Sequence, residues 1–153
     1  MAVYEIVKIG DPVLRERAKP VKNITPNIIK LLNNMADTMY NAKIGVGLAA
    51  PQIGISKRVV VIDIGEGLLE LINPEILAGE GSSVDSEGCL SIPGMTGKVK
   101  RWEKVRVQAL DRQGHRFEIE GKGFLARALQ HEIDHLEGIL FIDRAEKIYK
   151  SQE

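Results

Sequence analysis

The chain has 153 residues, 44% of them hydrophobic, and its 21 Lys plus Arg are balanced by 21 Asp plus Glu. That length supports one ordinary domain with a substantial core, and formal neutrality leaves no global field to hold the protein on nucleic acid or an anionic membrane. A lone cysteine, Cys89, excludes an internal disulfide framework and suits a reducing compartment, where a free thiol can serve as ligand or nucleophile. The N-terminal residues lack the basic region and apolar run of a signal peptide, and no later apolar run has membrane-spanning length. A soluble cytoplasmic protein without membrane or direct nucleic-acid contacts is expected.

In chain order, Asp11 before Pro12 reads as an N-cap and first-turn proline, predicting a short helix over 11–18. Thr25 and Pro26 repeat the signal ahead of Ile28, Ile29, Leu32, Met35, Ala36 and Met39. Their spacings of three and four place them on one face of a long helix covering a sheet. Residues 44–54 are small or special. Residues 58–64 then read as a mostly buried strand rich in β-branched side chains, and 68–76 and 83–86 as shorter strands. Between Gly97 and Leu110, Val99, Val105, Val107 and Leu110 alternate with charged residues. The pattern predicts a half-buried antiparallel ribbon, paired with 115–120 across the turn Asp111-Arg-Gln-Gly114. A second strong helix is predicted over 123–137 with Gly138 as its stop, and the charged tail from Asp143 predicts a last short helix. With no repeat, low-complexity tract or linker, the reading is one α+β domain over residues 1–153.

The sharpest chemical signal is His131-Glu132-Ile133-Asp134-His135 within the second helix. Residues four apart share a face, so both imidazoles can point at one ion while the glutamate beside them handles protons. Two histidines on a solvated face are the plainer alternative. Against it, Leu125, Leu129, Glu132 and Leu136 fall on the stripe that should face the core, where a carboxylate needs a partner or a task. Phe124 and Ala128 are expected to continue the histidine face inward. A third ligand must come from elsewhere. His115 lies beside a turn and reads as exposed. Cys89, after Gly88 in Glu87-Gly-Cys-Leu-Ser91, is preferred, although a lone cysteine out of context is more often a small buried hydrophobe. Gly45-Val-Gly-Leu-Ala-Ala-Pro-Gln52 lacks the ending of a phosphate loop and reads as a tight segment lining a cleft, or as a plain turn into a strand. In the first case Gln52 offers an amide donor to a developing oxyanion.

Together these stretches resemble the peptide deformylase family, whose signature runs G-x-G-L-A-A-x-Q, E-G-C-L-S and Q-H-E-x-D-H. Here they stand as Gly45–Gln52, Glu87–Ser91 and Gln130–His135, in order and without departure, in the form of the bacterial and organellar type. The resemblance implies mostly antiparallel sheets packed around a central metal-binding helix. It implies that Cys89, His131 and His135 bind one divalent metal with water as fourth ligand. That ion would be ferrous iron in the cell, with zinc, nickel or cobalt able to replace it. It implies removal of the formyl group from the methionine that begins a new protein, Glu132 acting as general base and then general acid. Gln52 and the Leu90 backbone N–H would stabilise the tetrahedral oxygen. Gly45, Val46 and Gly47 would hold the peptide as an added strand, and Ala128 and Leu129 would wall the methionine pocket. Arg127 is a bulky charge where an apolar wall is expected, and Arg101 is nominated as the ion-pair partner of a structural Glu87. Expected partners are N-formylmethionyl nascent peptides, with the ribosome exit region suggested by the substrate's origin. Zinc peptidases also use a histidine-glutamate-histidine helix, but the cysteine ligand and the other two motifs separate this chain from them. A structural metal clamp would need neither Gln52 nor Glu132.

Overall fold

The computed structural model describes residues 3–42 and 46–150. In chain order its elements are α1 (Pro26–Asn41), β1 (Gly47–Ala49), β2 (Val59–Ile62), β3 (Leu69–Glu80), β4 (Ser83–Cys89), β5 (Ile92–Arg101), β6 (Lys104–Leu110), β7 (Arg116–Lys122), α2 (Gly123–Leu136), α3 (Phe141–Arg144) and β8 (Ala145–Lys150). The strands form two antiparallel sheets, one in the order β1-β2-β3-β6-β7 and one in the order β4-β5-β8. The α+β architecture of antiparallel sheets around a central helix is thus present. Among the described residues no helix is long and apolar enough to cross a membrane.

The centre of the larger sheet follows from the Val-Val-Val-Ile run of β2, whose four residues are all buried. Side chains alternate between faces, so such a run must be covered on both sides. Val59 and Val61 join Leu32, Met35 and Met39 of α1, whereas Val60 and Ile62 join Ala126, Leu129, Ile133 and Leu136 of α2. The amphipathic α1 begins as its sequence predicts, with the Thr25 hydroxyl accepting a hydrogen bond from the Ile28 N–H and Pro26 in the first turn. The smaller sheet packs its inner face on a third cluster that includes Leu14, Ile92, Val99, Leu140 and Phe141.

Three sequence expectations are corrected. The helix expected over 11–18 is a single 3-10 turn, Pro12–Arg15. Asp11 caps it through Val13 N, but the chain at Glu16 is already extended. The ribbon expected from Gly97 to Leu110 is two strands in different sheets, because Arg101 is buried. The adjacent Trp102 is held by Gln130, whose amide accepts from Trp102 N at 3.0 Å and donates to Trp102 O at 2.9 Å. The tail expected to be helical is helical only over Phe141–Arg144. From Ala145 it pairs along β5, satisfying that strand's outer backbone groups.

Helix α2 ends where predicted. Gly138 has φ +76°, and a Cβ there would stand 2.5 Å from the Arg15 carbonyl oxygen. Gly138→Ala combines left-handed backbone strain with a collision against main chain, and is expected to cost about 2–4 kcal/mol in denaturant unfolding. An unchanged midpoint would mean that the segment around Arg15 yields freely.

Candidate active site

The seam between the two sheets is bridged by α2, and the chemistry gathers there. Cys89 comes from the end of β4, His131, Glu132 and His135 from α2, and Gln52 from the 3-10 turn Ala50–Ile53 that follows β1. The candidate ligand atoms of Cys89, His131 and His135 all lie within 4.8 Å of one another, and Cys89 Sγ is 3.4 Å from His135 Nε2. Tetrahedral coordination by one thiolate and two imidazoles requires separations of roughly 3.3–3.6 Å; the Cys89–His135 pair meets this, and the chemistry of the three donors suits one divalent cation. His115 is far from this role, with its side chain 78% exposed.

Behind the ligands lies a buried charge cluster. Glu87 receives both Nε and Nη2 of Arg101 at 2.8 Å, Nη1 of Arg127 at 2.6 Å and Nδ1 of His131 at 2.8 Å. The nominated Glu87–Arg101 pair is therefore present, and two further partners join it. Burial alone would raise the Glu87 pKa, but the hydrogen bonds from Arg101 and His131 hold it well below the usual carboxylate range. Fixing Nδ1 of His131 in this way turns its Nε2 toward Cys89 and sets the ring orientation a metal ligand needs. Arg101 continues to Asp134 at 2.7 Å, and Asp134 also takes Arg144. Arg127 explains its own awkward position. Its head group turns away to Glu87, the Val99 carbonyl and Ser83, so its stem is the part available to the cleft wall.

The remaining titratable groups follow from burial and charge. Burial works against a protonated His131, yet hydrogen bonds to Cys89 and Glu87 and the nearby Glu132 carboxylate raise its pKa to about 10. Burial, aided by the charges of His131 and Arg101, lowers His135 well below its ordinary value, leaving it a neutral base. Glu132 is raised to about 7, mainly by burial. Its Oε1 is buried without a hydrogen-bond partner among the described residues. Its other oxygen lies against Gly47, where a Cβ would come within 2.7 Å of Oε2.

A cleft of about 510 Å³ opens over these groups, lined by Val46, Gly47, Gln52, Leu90, Ala128 and Glu132 among others. Gln52 is fixed there: its Oε1 accepts from Ala49 N at 3.0 Å, so its NH2 faces Cys89 Sγ at 3.5 Å and Ser91 Oγ at 3.3 Å. Two expectations are corrected. Leu129 is fully buried in the core under the larger sheet, because one residue of helix turns it away from the face that Ala128 presents to the cleft. Phe124 does not point inward but stands 57% exposed at the cleft rim. Gly45 lies outside the described residues. Asp134, Arg127 and Gln130 were not singled out as a framework from sequence. Their signal was charge and amide groups at helix positions that had to be buried.

A family model described as polypeptide deformylase matches residues 3–151. The chain belongs to the polypeptide deformylase family. Among its relatives, the peptide deformylase of Desulfitobacterium hafniense is 69% identical over 147 residues, covering 96% of this chain and 97% of that protein. That of Carboxydothermus hydrogenoformans is 63% identical over 150 residues, covering 98% of each. The crystal structure of the Thermotoga maritima peptide deformylase superposes with a TM-score of 0.93 at 45% identity, covering 96% of this chain and all of that one. Membership in a deformylase family makes the chain a metal-dependent hydrolase that removes the N-formyl group from nascent peptides.

Because Glu132 leaves no room for a side chain at Gly47, Gly47→Ala is expected to displace the carboxylate and lower kcat about 100-fold or more while the protein remains folded. Steady-state deformylation and thermal melting measured on one preparation check this, and near-normal kcat would mean that Glu132 need not occupy its observed place.

Proposed function

We propose that Cys89, His131 and His135 hold one divalent cation and that Glu132, Gln52 and the Leu90 backbone N–H manage the protons and charge of deformylation beside it. When bound, such a cation supplies Lewis acidity, polarising a carbonyl and easing the ionisation of water. The observation that carries the reading is Glu132 itself. It is a buried carboxylate with one unpartnered oxygen, its pKa raised to about 7, beside the candidate ligands. At that value it can accept the proton of the attacking water and return one to the departing amine nitrogen at neutral pH. As the formyl carbon becomes tetrahedral its oxygen gains charge, and the fixed NH2 of Gln52 and the Leu90 N–H supply donors to it.

The rest of the substrate provides specificity, since a formyl group is small. β1 is the outermost strand of its sheet, and the backbone of Val46 and Gly47 offers its outer edge to an extended peptide, a role the family resemblance extends to Gly45. Ala128 forms part of the apolar wall for the methionine side chain. The substrate is a nascent chain, and its origin supports an encounter in the cytoplasm, with the ribosome exit region as a proposed partner.

Anaerobically loaded protein is expected to release formate rapidly from formyl-Met-Ala-Ser and to leave unformylated Met-Ala-Ser intact. Glu132→Ala should lower kcat by about 10²–10⁴ with metal content unchanged. Formate release that survives the substitution would remove Glu132 from the mechanism. Ferrous iron is the proposed cellular ion, since a thiolate gives it a soft donor, with zinc, nickel and cobalt as substitutes. The same thiolate exposes the site to oxidation, so the iron form should lose activity in air while the nickel form keeps most of it. Equal half-lives in air would count against iron.

A further inference from the structure

The outward face of the smaller sheet carries a run of positive charge that the deformylation chemistry does not use. Strand alternation and register place Ser86, Thr96, Lys98, Lys100, Lys147 and Tyr149 on this face, because Lys98 pairs with Lys147 and with Ser86, and Thr96 pairs with Tyr149. The three lysines are exposed, and none makes an ion pair or hydrogen bond among the described residues. Asp85 and Glu87 alternate to the opposite face, and Glu146 sits at the register shift between the Lys147 and Ala145 pairings. Lys98 and Lys147 stand directly opposite one another, an arrangement that repels rather than stabilises. Ser86 and Thr96 also line the active-site cleft, so the basic face begins where the cleft ends.

We propose that this face attracts acidic side chains in the segment of the nascent substrate that trails out of the cleft, and so favours formylated chains with Asp or Glu a few residues after the methionine. The inference rests on the deformylase reading of the cleft. An extended strand advances about 3.3 Å per residue, so Lys98 lies only roughly 7 Å beyond Thr96, within reach of a short stretch of peptide. Continuity with the cleft favours the substrate's own chain over a separate polyanion, as does the absence of net charge on the protein.

The experiment compares kcat/KM for formyl-Met-Ala-Ser extended by Asp-Glu-Asp-Glu, by Lys-Lys-Lys-Lys and by Gly-Ser-Gly-Ser. Each is measured at 20 mM and 500 mM salt, with the holoenzyme and with the Lys98→Glu, Lys147→Glu double variant. The acidic extension should be preferred over the basic one by roughly three- to ten-fold at low salt, chiefly through KM. High salt should abolish the preference and the double variant should reverse it. Formyl-Met-Ala-Ser itself should be processed equally by both proteins, which shows that the variant is folded. Failure of both to process it would overturn the deformylase reading instead. Equal rates on all extensions would overturn the proposal. So would charge-insensitive turnover accompanied by salt-dependent binding of a poly-uridine probe that the variant loses, an outcome that would assign the face to RNA.

Discussion

The buried carboxylate of Glu87 is the interaction on which the site depends. It sits in β4, pairs with Arg101 of β5 and Arg127 of α2, and accepts from His131 of the same helix. Removing one member of such a cluster leaves an uncompensated charge in the interior, which makes the arrangement all-or-none. Two guanidinium groups hold one carboxylate as an anion, so the imidazole beside it meets a fixed negative partner rather than a titrating one. The strand that carries the thiol and the helix that carries the imidazoles are thereby locked in register with one another.

The larger sheet supplies the other half of the geometry. Two-sided burial of β2 fixes α1 on one face and α2 on the other, and sets the depth at which Glu132 lies against Gly47. Small residues along β1 are required because the helix approaches closely, and the apolar wall of the cleft follows from the same approach. Most polar groups that reach this depth have an assigned neighbour. Gln52 is tied by Ala49 and Gln130 by Trp102, while among the described residues Glu132 Oε1, His135 Nδ1 and Asp37 Oδ2 are buried without a hydrogen-bond partner, the first two of them at the candidate site.

Much of this was legible in the chain. α1 and α2 announced themselves through proline, threonine and glycine punctuation and through spacings of three and four, because these are local rules written in consecutive residues. The convergence of Cys89, His131 and His135 was legible through the helical spacing of the two histidines and through the motif around Cys89. The division of Gly97–Leu110 between two sheets was not legible, since alternation looks the same whichever sheet a strand joins. It depends on Arg101 being drawn inward by a glutamate 14 positions away. Leu129 was misplaced for a related reason. Resemblance gave the neighbourhood of the pocket wall, but neighbouring helix residues differ by about 100° in direction, and only the packing of α2 on the sheet decides between them. Arg127 looked like an intrusion into an apolar wall because its partners lie in β4 and β5, far from it in sequence.

The placement of the candidate ligands on either side of the seam bears on how the molecule holds together. Cys89 belongs to the smaller sheet, while His131 and His135 ride on a helix whose main contacts are with the larger one. A cation gripped by all three is a clasp across the two halves, and its binding free energy is added to the free energy of unfolding by linkage. With the proposed ion bound, its release and the parting of the two halves would be coupled events, so a grip on the ion would report that both halves are in place.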